Sequence, residues 1–423
     1  MSRRFLLKAL GGGVAGLGLG KLPSALAQVS GQATQPIPDF TGPGPNPYWG
    51  AVGPFAVYPQ KLPLIQLTDR PIQLETPRHY FLTPFTPNAA FYVRWHLEVI
   101  PNAVNLSEWR LTVEGNVERP LEFSLSDLMK RFKPVSLAAV NQCTGNSRSR
   151  FQPRVPGSQW GNGAMGNALF TGVRLKDLLD AAGVKTGSIQ VQFEGLDKGR
   201  GMKDSAMHRF LKSLNLDDPV VQESIVAYEM NGEPLPMLNG FPARLVVPGK
   251  FSTYWIKALT WIRVLTEQDV NFWTAKTYCV PDTPGGNVTP EEAREGQFRM
   301  VPVGTMPVRS FIITPDGSAK IPVGMPVTVR GIAFSGHGRI VKVEFSGDDG
   351  VGWGRAKLGK DYGRYSFRTW EAVWNPGRIG KHMLAVRASD EKGNTQTDKD
   401  FWNPKGYLWN RIERQEVVVD SAQ

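Results

Sequence analysis

Two hydrophobic rhythms divide the chain. Between residues 81 and 264, short apolar runs alternate with segments of helical character. Residues 172–183, with Leu175, Leu178, Leu179 and Ala182 on one face, predict a helix closed by Gly183. Residues 244–249 predict a buried strand stopped by Pro248-Gly249. After Met306 the rhythm becomes period two. Val341, Val343 and Phe345 alternate with Lys342 and Glu344, and Leu384, Val386 and Ala388 with Ala385 and Arg387. Repeated runs of this kind, separated by Gly/Asp turns, predict an antiparallel β-sandwich. Residues 28–75, rich in Pro, Gly and Gln, read as an extended arm around a core, and 280–310 as a linker. With 423 residues the chain exceeds one ordinary core. The expected class is therefore α+β: a mixed α/β domain at 28–300, then a sandwich at 301–423.

Composition narrows the function. A formal charge of +11 comes without a dense Lys/Arg run interleaved with aromatics, so nucleic acid is not the expected partner. Arg3 and Arg4 precede a Gly-rich apolar stretch and a small-x-small site at Ala25-Leu26-Ala27, which predicts a twin-arginine signal peptide over 1–27 and a periplasmic protein. Export of folded protein suits a cofactor inserted beforehand. No other apolar run reaches the ~18–20 residues of a membrane span. Only Cys143 and Cys279 are present, and in an exported chain they could form a disulfide. There is no Cys-x-x-Cys-His for a c-type haem and no four-cysteine cluster for iron–sulfur, so electrons must leave to another protein.

Candidate chemistry lies in three segments. Val140-Asn141-Gln142-Cys143-Thr144-Gly145-Asn146-Ser147-Arg148 holds a cysteine among small polar residues with an arginine five positions on, suited to a thiolate on a loop beside a cation. Upstream stands Tyr92-Val93-Arg94-Trp95-His96, and downstream Asn239-Gly240-Phe241-Pro242-Ala243-Arg244. In this order and spacing they resemble the molybdopterin domain of the sulfite oxidase family. Ser346-Gly347-Asp348-Asp349-Gly350-Val351-Gly352-Trp353, Val386-Arg387-Ala388-Ser389-Asp390 and Trp402-Asn403-Pro404-Lys405-Gly406-Tyr407 resemble that family's immunoglobulin-like dimerisation domain. Small bacterial reductases of the superfamily lack this domain, which favours the oxidase branch.

The resemblance implies a molybdenum–molybdopterin cofactor with Cys143 as the protein's metal ligand, which argues against a Cys143–Cys279 disulfide. It implies pterin contacts from Tyr92, Val93, Arg94, Trp95, His96, Asp197, Asn239, Arg244, Trp255, Ile256 and Lys257. Asn239 stands where animal enzymes carry histidine. Arg94 and Arg148 would hold an oxyanion as bidentate donors. Tyr278 would be the active-site tyrosine, and Lys405 would supply a third cation without a guanidinium fork. The expected reaction converts sulfite and water to sulfate, two protons and two electrons, the electrons passing to a c-type cytochrome. A homodimer, or a heterodimer with a cytochrome subunit, is expected. The alternatives are a sulfur dehydrogenase subunit of a thiosulfate-oxidising complex and, from a different class, an exported binding or adhesion protein containing no molybdenum.

Overall fold

The computed structural model describes residues 55–56, 60–69, 71–200 and 207–421, so the expected export segment 1–27 and most of the arm 28–75 lie outside the described residues. The described end of that arm is not an irregular wrap. Leu64–Asp69 and Ile72–Glu75 pair as antiparallel strands in a four-stranded sheet with Phe55–Ala56 and Val93–Arg94. Leu64, Ile65 and Leu74 are buried there, so an apolar face inside a Pro/Gly-rich stretch makes sheet rather than coil.

Strand dominates over helix more strongly than the expected mixed α/β domain. A five-stranded sheet runs Met207–Asn215, Gln190–Arg200, Leu259–Leu265, Leu111–Gly115, Leu121–Phe123, with only Leu259–Leu265 and Leu111–Gly115 parallel. A second sheet is ordered Glu233–Pro234, Ile225–Met230, Met165–Arg174, Val135–Gln142, with Arg244–Val246 also pairing to Ile225–Met230. The helices between them are short. Leu125–Arg131 starts at a capping box formed by Ser124 and Asp127. Leu175–Ala182 ends at Gly183, whose left-handed conformation (φ 71°) closes the last turn as expected. Its expected first residues, 172–174, instead finish the strand Met165–Arg174. The expected linker 280–310 is also structured: Cys279–Pro281 pairs with Met300–Pro302 across the helix Pro290–Glu295.

The C-terminal residues form two sheets, Arg309–Thr314, Val327–Phe334, Arg368–Trp374, Lys357–Leu358 and Lys320–Pro322, Glu413–Asp420, Gly380–Asp390, Ile340–Ser346, Gly354–Arg355. Ile312, Val329, Val343, Trp370, Leu384, Val386 and Val417 fill one apolar cluster between them. In Gly380–Asp390 the expected Leu384, Val386 and Ala388 join this cluster, although Ala385 between them is buried too, and the pattern slips in Ile340–Ser346. Val341, expected inward, is 45% exposed, because the ladder shifts register between Ile340 and Lys342 and Ile340 takes the inward place. Strand Arg309–Thr314 shows no alternation because both its faces are covered. Ile312 joins the cluster between the two sheets, whereas Phe311 and Ile313 pack into the larger core with Phe81 and Phe170. A continuous apolar run is what burial on two sides requires. Those same contacts fasten the C-terminal sheets to the body that carries Cys143.

Candidate active site and cofactor cavity

Cys143 follows directly on the strand Val135–Gln142 and is buried, its N–H donating to Ala164 O at 2.9 Å. The polar residues after it are buried too. Asn146 and Ser147 succeed in the interior because they find partners, whereas the Thr144 hydroxyl has none among the described residues. Asn146 donates to Gln142 Oε1 at 3.3 Å and Asn162 O at 3.2 Å while accepting from Ala164 N at 3.0 Å. Ser147 Oγ donates to Asn162 Oδ1 at 2.6 Å. Glu75 braces the opposite loop by accepting from Gly161 N at 2.9 Å and Gly163 N at 2.8 Å. Both cysteines are free thiols, so there is no Cys143–Cys279 disulfide.

Arg148 occupies a socket built from glycines. Its Nε donates to Lys405 O at 3.3 Å and Nη1 to Ser158 O at 3.0 Å, and its guanidinium lies 5.2 Å from the Tyr407 ring centroid. A Cβ at Gly145 would stand 2.4 Å from Arg148 Nη2, and one at Gly157 2.8 Å from Nη1. Tyr407 stacks on Tyr278 (5.9 Å, 12° between planes), and the Tyr278 hydroxyl hydrogen-bonds His96 Nε2. His96 in turn stacks on Phe210 with ring centroids 3.7 Å apart. Arg148, Tyr407, Tyr278 and His96 thus form one continuous train. The Cys143 thiol acts electrostatically on Tyr278, Tyr407, Tyr92 and Lys257. Burial raises the Tyr278 phenol, and burial with the Arg94, Lys257 and Lys212 charges drives His96 well below the ordinary imidazole range, so the pair is a neutral phenol and a neutral imidazole.

A small cavity adjoins this train, lined by Tyr92, Arg94, His96, Asn239, Arg244 and Lys257 together with Phe91, Asn141, Leu238 and Ser252. The glycine after the turn Met237–Asn239 makes the bend possible, since Gly240 has φ 110° and a Cβ there would press on Lys257 and Arg244. Arg244 donates to Asn239 O at 2.9 Å and to Trp255 O at 3.4 Å, while its Nε has no hydrogen-bond partner among the described residues. Burial lowers Arg244 to about 10 and Lys257 to about 7, the latter pulled back in part by Asp197. Asp197 is raised by burial to about 6.

Five expected pterin contacts, Val93, Trp95, Asp197, Trp255 and Ile256, do not line this cavity. Val93 and Trp95 face a separate apolar cluster with Leu64, Leu74 and Ala258. Trp255 and Ile256 belong to the main core. Trp95 and Trp255 contribute backbone carbonyls, to Arg94 and Arg244 respectively, and the Lys257 ammonium lies 4.7 Å from the Trp95 ring centroid. Lys405 holds Arg148 by its carbonyl, and its side-chain charge acts on the Cys279 thiol. Sequence reasoning missed Phe210, Tyr407 and Lys212. Lys212 is fully buried, with its ammonium 4.6 Å from Tyr254 and 5.6 Å from Tyr278 ring centroids, and it falls to about 8 through burial. Phe210 and Lys212 lie in no motif, and Tyr407, although it ends the Trp402–Tyr407 segment, was not marked there as a site residue; each acquires its role only from what packs on it.

Residues 96–273 match the family described as "Oxidoreductase molybdopterin binding domain", and residues 301–419 the "Mo-co oxidoreductase dimerisation domain". The mitochondrial sulfite oxidase of Drosophila melanogaster is 33% identical over 390 residues, covering 86% of this chain and 65% of that one. The sulfite oxidase of Gallus gallus is 33% identical over 387 residues, covering 85% of this chain and 80% of that one. The chain belongs to the sulfite oxidase family. Its fold is also that of the sulfane dehydrogenase SoxCD from Paracoccus pantotrophus (TM-score 0.70, 23% identity, 95% of this chain and 100% of that one). As a member of the sulfite oxidase family it takes a molybdenum–molybdopterin cofactor, and the chemistry of the lining residues suits such a group. Several desolvated cations face it, Arg244 Nε and Asn141 Nδ2 are buried without partners, and a thiol stands alongside as a soft donor. No helix among the described residues is long and apolar enough to cross a membrane.

Proposed function

We propose that this protein oxidises sulfite to sulfate in the periplasm and passes the electrons to a c-type cytochrome. The observation that carries the reading is the convergence of Arg94, Arg148, Tyr278 and His96 beside Cys143. Cys143 would ligate the molybdenum, and Tyr92, Arg94, His96, Asn239, Arg244 and Lys257 would hold the pterin. When bound, the molybdenum–pterin group supplies the two-electron redox change. The chain's residues do the rest. Arg148 is anchored through Nε and Nη1, leaving Nη2 for a substrate oxygen, and Arg94 offers a second cation to the same dianion. Lys405 adds charge at the rim. Sulfate has one oxygen more than sulfite, taken from water with release of two protons, and the Tyr278–His96 pair can hold one of them in transit because both groups start neutral. Phe210, itself packed against Trp273, covers one face of the His96 ring.

On this reading residues 1–27 form a twin-arginine signal peptide, 28–300 the catalytic domain and 301–423 an immunoglobulin-like dimerisation domain. The match to a dimerisation family supports a homodimer, or a heterodimer with a cytochrome subunit. Steady-state oxidation of sulfite by purified enzyme with cytochrome c, alongside molybdenum per chain and cell fractionation, tests these assignments together. Molybdenum without sulfite turnover, but with oxidation of a carrier-bound sulfane, would move the substrate to that of a sulfur dehydrogenase. A periplasmic chain without molybdenum would indicate a binding protein.

A further inference from the structure

Lys61 belongs to no motif, yet it is one of the more unusual cations in the structure. It is 7% exposed, and its ammonium donates to Asn88 O at 2.8 Å, Phe91 O at 3.0 Å and Asn239 Oδ1. All three acceptors are neutral. Burial alone lowers its pKa, to about 7, with no carboxylate among the described residues pulling it back. A desolvated ammonium without a counter-charge is costly. Asn239 is committed at both ends of its amide, accepting from Lys61 and donating from Nδ2 to Tyr92 O at 3.1 Å. Phe91, Tyr92 and Asn239 all line the cavity, so the lysine stands directly behind its wall.

We propose that Lys61 is a positioning residue for the pterin: it locks the Asn239 amide and sets a positive charge behind the wall, opposite an anionic group of the cofactor. This rests on reading the cavity as the pterin site. The charge explains what a plain structural strap would not need, because a neutral donor could tie Asn239 equally well. An anion in the cavity supplies the missing counter-charge and makes burial of the ammonium tolerable.

The test measures pterin retained per folded chain, as the fluorescent oxidised pterin after dialysis of the holoenzyme, together with the melting temperature of cofactor-free protein. Lys61→Gln, which keeps a donor but no charge, and Lys61→Met should bind pterin about 10–100-fold more weakly, as is typical of lost partners behind a ligand shell. Lys61→Arg should retain it, and cofactor-free Lys61→Gln should melt with the wild type. Arg244→Met serves as control on the cavity itself. Full retention by both neutral Lys61 variants, with loss in Arg244→Met, overturns the role of Lys61 and leaves the cavity reading intact. Retention by Lys61→Gln with loss in Lys61→Met overturns the electrostatic role in favour of a neutral strap. Full retention by Arg244→Met removes the pterin from this cavity and the proposal with it.

Discussion

Arg309 Nη2 donates to Ser147 Oγ at 3.0 Å, tying the first long strand of the C-terminal sheets to the loop that carries Cys143. Ser147 is one corner of a buried polar group: its hydroxyl donates to Asn162 Oδ1, and Asn162 Nδ2 donates to Glu413 Oε1 at 2.9 Å. Ser147 also has φ 68°, a conformation a side chain adopts only when its surroundings hold it. The C-terminal residues, which match a dimerisation-domain family, therefore also shape the loop that carries Cys143. Arg309→Met should cost roughly 1–3 kcal/mol of stability by removing a charged donor from this buried polar group. It should also lower kcat more than it raises KM for sulfite. Chemical denaturation and steady-state kinetics measure both, and an unchanged kcat in a destabilised variant would confine Arg309 to a structural role.

Cys143→Ser should fold, since oxygen is smaller than sulfur and the backbone hydrogen bonds of the loop are untouched. It should lose nearly all sulfite oxidation, because a serine hydroxyl is a poor replacement for a soft thiolate. Near-normal turnover in a variant with wild-type melting would remove Cys143 from the metal site.

Arg148 offers two independent tests. Arg148→Gln should lower kcat/KM by roughly 2–4 kcal/mol of transition-state stabilisation, the range for loss of a preorganised charged donor. Gly145→Ala leaves the charge in place but sets a methyl 2.4 Å from Nη2, and Arg148, held by two carbonyls, has little room to yield. Its effect should fall chiefly on KM for sulfite. If Gly145→Ala leaves KM unchanged, the orientation of this guanidinium is not what binds substrate.

His96 predicts an acid limb in stability. Unfolded histidine titrates at about 6.5, whereas burial and then the charges of Arg94, Lys257 and Lys212 keep the folded ring neutral to well below that value. Below pH ~6.5 the unfolded chain therefore binds the extra proton, so the contribution of His96 is complete above that pH and is lost as pH falls beneath it. His96→Gln, which cannot titrate, should show a shallower loss of denaturant-derived stability over the same acid range. Equal slopes in both proteins would mean that the folded imidazole protonates as readily as the unfolded one.

What the sequence by itself determined is what local pattern and residue type can encode. The Cys143, Arg94–His96 and Asn239–Arg244 segments were legible because a thiol, two cationic side chains and a glycine bend appear in a specific order and spacing. The end of the helix Leu175–Ala182 was legible because Gly183 admits a left-handed turn at no steric cost. The expected export segment lies outside the described residues. Tertiary structure alone decided which of the expected contacts face the cavity, turning Tyr92, Arg94 and His96 toward it and Val93 and Trp95 into a separate core. It also decided the roles of Lys61, Lys212, Phe210 and Arg309. Lys61 meets Asn239 across 178 positions and Arg309 meets Ser147 across 162, and no local pattern marks such pairs. A buried charge or ring takes its function from whichever neighbours replace its water, and those neighbours are chosen by the packing of the sheets.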